Sequence, residues 1–273
     1  MRIINRAPSK GIAIALAALP FALAIAAYAV ASAARLAANP ADKLLPSFAR
    51  MVETFLTLAT VPDRRTGDII LWIDTAASLQ RLGVGIALAA LLALLFGVLI
   101  GFLPYARATL APFVSTISLI PPITVLPILF ISFGLGEAAK IALIVVGTAP
   151  VMIRSISQAV LDIPRELVIK AQTLGASSWQ IVTRLVLPHS LPQLITAIRL
   201  GLVPGWIFLI SAEAIASTDG LGYRIFLVRR YLAMDVILPY VVWIALLAFL
   251  IDRALLMVSR RMFRWHHMTG DAL

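Results

Sequence analysis

An all-α, polytopic membrane protein with about six transmembrane helices is what this sequence predicts, and three observations carry the prediction. Of the 273 residues, 61% are hydrophobic, against roughly half in a soluble domain. Apolar runs of about 20 residues, the length that crosses a hydrocarbon core, recur along the chain. The Lys and Arg residues behind the formal net charge of +10 are scattered at the edges of these runs. They form no long basic stretch, so the charge suits a membrane interface and not a nucleic acid. There is no cysteine, which excludes disulfides, thiolate nucleophiles and Cys-based zinc sites. No His-x3-His pair and no Gly-x4-Gly-Lys-Ser/Thr loop occurs, so neither a zinc protease nor a P-loop ATPase is encoded. If ATP drives this protein, another chain binds it. His266 and His267 stand beside Arg264 and Trp265, an interfacial setting and not a metal site.

Arg2, Arg6 and Lys10 precede the first span, 11–34. Its apolar run exceeds the 7–15 residues of a signal-peptide core, which favours a retained helix, although Ala29, Val30 and Ala31 offer a small-residue cleavage site. Residues 37–80 read as an external segment. Within it Phe48, Met51, Val52, Phe55, Leu56 and Ala59 fall on one helical stripe, with Arg50 and Glu53 off it. That helix either lies on the membrane surface or packs its stripe on a neighbouring span. A turn over 62–68 leads towards the second span, 82–103, where Gly97 and Gly101 admit the close approach of another helix, within the subunit or between subunits. The third span, 113–133, contains Pro121, Pro122 and Pro127. Lost backbone donors are poorly tolerated against lipid, so this segment is buried by other helices or lines a cavity.

Glu137 and Lys140 mark the turn into the fourth span, 138–156, which delivers the chain into a polar segment, 157–193. The fifth span, 194–216, carries Arg199, Trp206 and Glu213 at intervals of seven, hence on one face. Ionisable residues inside spans usually face a bundle interior or a wet cavity. Arg199 either meets an anionic solute or snorkels to headgroups; Glu213, about 21 Å further along the helix, caps, gates or binds. Residues 219–223 form a turn, and the sixth span, 236–258, ends in the interfacial anchor Arg260, Arg261, Phe263, Arg264 and Trp265. Six spans place both termini on the side of 157–193. Lys and Arg divide almost evenly between the two sides.

Residues 166–192 are a polar island in this oily chain. A short helix from Glu166 ends where Gly175 takes the left-handed conformation. A second starts at Ser177 or Ser178, whose hydroxyls suit an N-cap, and Pro188 and Pro192 break the chain before the next span. The product is a helix-Gly-helix knuckle outside the bilayer.

The island resembles the cytoplasmic EAA loop of ABC importer permeases. The likeness extends to Leu45, Pro46 and Ser47; Ser78, Arg81 and Gly85; Pro121, Pro122, Leu126 and Pro127; Phe133 and Gly134; Asp162 and Pro164; Gly175 and Ala176; Leu187 and Pro188; Arg199; Ala212 and Glu213; and Gly220 to Tyr223. In that order and spacing they resemble the nitrate/taurine/alkanesulfonate (NitT/TauT) branch. The chain departs from the pattern at Ile169 and Lys170, where the family usually has Glu and Ala.

The resemblance implies a type I ABC importer permease fold, no catalysis in this chain, and residence in the bacterial inner (plasma) membrane. It implies ATPase subunits that bind ATP and Mg, a periplasmic or extracellular solute-binding protein, and a second permease copy. The coupling residues implied are Glu166, Lys170, Ala171, Leu174, Gly175, Ala176, Ser177 and Pro188. Arg199, Trp206, Glu213, Pro121 and Pro122 are candidates for the translocation path, and the solute implied is a small anion such as taurine, an alkanesulfonate or nitrate. An ion-coupled secondary transporter is the competing reading, since broken helices suit such carriers. Against it, the acidic residues are expected at span ends. A membrane enzyme lacks any assembled nucleophile, base and orienting group.

Overall fold

A chain in hydrocarbon must close its own backbone hydrogen bonds, which helices do residue by residue. The computed structural model describes residues 8–64 and 67–265; among these it holds α-helices and no strand. Among the described residues five helices are long and apolar enough to cross a membrane, or six spans if one bent pair counts as a single span. The histidine pair at 266 and 267 lies outside the described residues.

The chain forms two compact units. The first runs to Ile69 and takes in Val228–Val241. It contains α1, Lys10–Ala38, and α2, Phe48–Thr60. α2 begins at an N-cap formed by Ser47, whose hydroxyl accepts the N–H of Arg50, as Ser suits that position. Arg35, in the last turn of α1, pairs with Asp42 in the link between the two helices.

The second unit is built on α3, Ile70–Phe102, which packs along α6, Glu137–Leu161, and against α9, Leu187–Ala216. α6 in turn packs on α9 and on α5, Pro122–Phe133. Gly97 and Gly101 resolve the open choice made from sequence: a Cβ on either would come within 2.7 Å or less of Ile156 or Val160 of α6. The close approach is therefore internal to the subunit. An apolar cluster joins Leu126 and Leu129 of α5, Ala139 and Leu143 of α6, and Ala212 of α9.

Three boundaries differ from the hydropathy reading. The helix expected over 82–103 runs instead from Ile70 to Phe102, because Asp74, Ser78 and Arg81 are buried inside it and partnered there. Residues 113–133 are not one helix: α4, Pro104–Ile117, and α5 meet at 95°. Pro121 caps α5 and Pro122 occupies its first turn, where a missing N–H costs nothing. Pro188 and Pro192 do not break the chain. α8, Ser178–Ile181, runs through a π-helical turn, Val182–Val186, directly into α9. The N–H of Leu187 reaches back to Val182, and this wider turn accommodates the proline that follows. Pro192 then lies inside α9.

Candidate functional site

The knuckle between α6 and α9 is assembled by local backbone chemistry. Pro164 precedes α7, Arg165–Thr173, with Glu166 in its first turn and Lys170 in its last, each at the helix end that suits its charge. Gly175 has φ 79°. Its N–H bonds to the carbonyl of Gln172 at 2.9 Å, and the N–H of Ala176 to that of Ala171 at 3.0 Å. This pair of bonds is a Schellman ending, which needs the left-handed residue at this position. Ser177 then caps α8 reciprocally with Gln180: the N–H of Ser177 donates to Oε1 at 2.8 Å, and the N–H of Gln180 to Oγ at 3.3 Å. Two helix ends therefore meet across Gly175 and Ala176, each closed by a pair of local hydrogen bonds.

Ile163, Ile181 and Val186 are buried and root the knuckle. Ile169, Leu174 and Trp179 are 56%, 86% and 74% exposed. Of the predicted coupling residues, Glu166, Lys170, Leu174, Gly175 and Ser177 are exposed, and Ala171, Ala176 and Pro188 are half-buried. Sequence reasoning missed Trp179; an aromatic residue in the first turn of a helix on a polar island was the available signal.

The translocation-path candidates do not converge. Arg199 donates from Nε and Nη2 to the two carboxylate oxygens of Asp252 at 2.7 and 3.0 Å. It is thus held by a carboxylate on α11, Met234–Met262, an arrangement neither sequence alternative contained. Trp206 is buried, and its indole N–H has no hydrogen-bond partner among the described residues. Pro121 is exposed at the bend and Pro122 half-buried beside it.

Glu213 is fully buried at the end of the second unit away from the knuckle. Arg81 Nη1 donates to it at 2.8 Å, and Ser78 Oγ and the N–H of Gly222 each reach it at 2.8 Å. The same guanidinium holds Glu137 and Asp219, and Lys140 bridges Glu137 to Ser217 at 2.8 and 3.0 Å. Asp74, also fully buried, accepts the N–H of Gly220 at 3.0 Å and Nε of Arg224 at 2.8 Å. Leu221 donates its N–H to Ser78 at 2.8 Å. The first free N–H groups of α10, Leu221–Arg229, are thus capped by side chains of α3 and α9, the need every helix N-terminus carries. Asp74, Arg81, Glu137 and Lys140 were not singled out as site residues, because the contacts that join them into one cluster, to Glu213, Ser217, Asp219 and Arg224, come from remote positions in the sequence.

Residues 85–264 match the model of the family described as binding-protein-dependent transport system inner membrane component. The chain belongs to that family. It is 36% identical over 223 residues to the taurine transport system permease protein TauC of Escherichia coli (strain K12), covering 81% of this chain and 80% of the relative. It is 28% identical over 225 residues to the putative aliphatic sulfonates transport permease protein SsuC of the same strain, with 82% of each covered. Among solved structures it resembles a chain of the MetNI methionine ABC transporter in its inward facing conformations, with TM-score 0.62 and 26% identity over 70% of this chain and 95% of that one. This permease is a membrane-spanning subunit of an ABC importer, an inner membrane component with the type I fold, and a transport subunit instead of an enzyme. Family membership sets aside the ion-coupled carrier.

Proposed function

We propose that the permease pairs with a second copy of itself to form the pathway of an ATP-driven importer for a small anion of the sulfonate class. In this reading a separate ATPase subunit, which binds ATP and Mg, docks on the knuckle, and a solute-binding protein delivers the cargo from the other side. The observation that carries the docking assignment is the exposed apolar set Ile169, Leu174 and Trp179 around the left-handed Gly175, on a segment whose root is buried. Apolar surface grouped in this way marks an interaction site. Ile169 supplies an apolar contact where the family pattern has a carboxylate.

The solute class rests on the relatives named for taurine and for aliphatic sulfonates, which share the sulfonate group. Arg199 gives it no support, since Asp252 already occupies two of its donors. Selection therefore belongs mainly to the solute-binding protein. In proteoliposomes holding the permease, the ATPase and the binding protein, ATP-driven uptake of radiolabelled taurine is expected for the wild type and lost in Gly175→Val, with insertion unchanged. Wild-type uptake by inserted Gly175→Val overturns the docking assignment. Uptake of a cationic solute in place of taurine overturns the solute class alone.

A further inference from the structure

α1 and α2 lie before residue 85, outside the matched family region, and the amphipathic helix α2 has no part in the proposed transport cycle. Around its circumference three sectors follow one another. Met51 and Phe55 are half-buried; Phe48, Val52 and Leu56 are 45%, 57% and 53% exposed; Arg50, Glu53 and Thr57 are polar and exposed. Phe48, Val52 and Leu56 follow at i, i+4 and i+8, so they form a single apolar ridge beside the polar face. That polar face opens on a groove of about 590 Å³ within the first unit, lined by Ser47, Arg50, Glu53, Thr54, Thr57 and Asp235. There Arg50 Nε pairs with Asp235 at 3.1 Å.

The depth of α2 is set by its attachment to α1. Tyr28 Oη donates to the carbonyl of Pro46 at 2.7 Å, and Ser32 Oγ to that of Leu45 at 3.0 Å. The Tyr28 ring also meets Phe48 with centroids 5.1 Å apart. Tyr28 and Ser32 precede the end of α1 at Ala38 by about 15 and 9 Å of helix. The start of α2 is therefore held level with the last turns of an apolar helix whose spanning window is wholly unburied by protein. Phe48, the first residue of the ridge, thus touches α1 at that level, and a helix with one apolar and one polar face settles at a lipid boundary.

We propose that α2 lies in the lipid interface, with Phe48, Val52 and Leu56 among the acyl chains near the headgroups and Arg50, Glu53 and Thr57 in water. The inference rests on α1 being a membrane span. The absence of native cysteine makes the test direct. Full-length chains carrying Val30→Cys, Val52→Cys, Leu56→Cys or Thr57→Cys are labelled with an environment-sensitive fluorophore. They are placed in nanodiscs of phosphatidylethanolamine and phosphatidylglycerol that contain lipids spin-labelled either near the headgroup or deep in the chain.

Probes at 52 and 56 are expected to emit to the blue of the probe at 57. They should lose more emission to the shallow quencher than to the deep one and resist aqueous iodide, while the probe at 57 yields to iodide. The probe at 30 reports the span and should be quenched by lipid and not by iodide. If 30 behaves so while 52 and 56 yield to iodide, α2 stands in water and the proposal fails. If 52 and 56 resist both lipid and iodide, protein covers the ridge and the proposal fails equally. If 30 itself yields to iodide, the span reading of α1 fails first.

Discussion

Arg81 and Glu213 show what a buried charge requires. Glu213 has no exposed surface, and its carboxylate is stabilised by a guanidinium, a hydroxyl and a backbone N–H in place of water. Removing one partner of a buried pair strands the other, at about 3–5 kcal/mol. Arg81→Met is therefore expected to lower the unfolding midpoint in detergent sharply and to reduce accumulation in the membrane. Glu137→Gln is expected to do far less. Its side chain is 57% exposed, where an ion pair contributes about 0–1 kcal/mol. Equal midpoints for the two variants would show that the cluster is not the anchor described. At Arg199 the discriminating experiment is a charge swap. If the pair with Asp252 is a link between α9 and α11, Asp252→Ala should impair uptake and Arg199→Asp with Asp252→Arg should recover much of it. A swap as defective as the single change would return Arg199 to the solute path.

The elements divide by how local their causes are. The knuckle was legible from sequence because its chemistry lies within a few residues: the Schellman ending at Gly175 and the capping box of Ser177 and Gln180 each close over short spacings. The spans were legible for the same reason, as hydropathy is summed along the chain. The start of α3 was not. Asp74, Ser78 and Arg81 look external until Arg224, Glu213 and Gly220 are brought to them from more than 130 residues away. The π-helical turn before Pro188 was likewise illegible, since a proline can break a helix or be absorbed by a wider turn. The element-scale prediction concerns Ser177. Ser177→Ala removes a cap worth about 1 kcal/mol without forcing a side chain into the left-handed region. It is expected to lower ATP-driven uptake partially, where Gly175→Val abolishes it. An effect of Ser177→Ala as large as that of Gly175→Val would mean that the hydroxyl, and not the backbone turn, makes the essential contact.

At the scale of the whole molecule, the bend between α4 and α5 bears on the proposed pairing of two copies. Leu119 and Ile120 give their N–H groups to Thr116 and Ile117, and Pro121 and Pro122 bring none. What remains at the break is carbonyl oxygen beside the exposed side chains of Leu119 and Ile120, 79% and 48% exposed. Non-helical backbone at membrane depth is tolerated only against protein or a water-filled cavity. Among the described residues Leu119 is left 79% exposed, so on the proposed pairing of two copies the break would lie at the seam between them or on the pathway they enclose. A Leu119→Cys chain in native membranes is accordingly expected to be joined to its twin by bifunctional thiol reagents, giving a product of twice the chain mass. A Val30→Cys chain, labelled on the unburied face of α1, should stay monomeric. Cross-linking at Val30 and not at Leu119 would place the second copy against α1, leaving the backbone break facing lipid. That outcome would contradict the physical premise as well as the assembly.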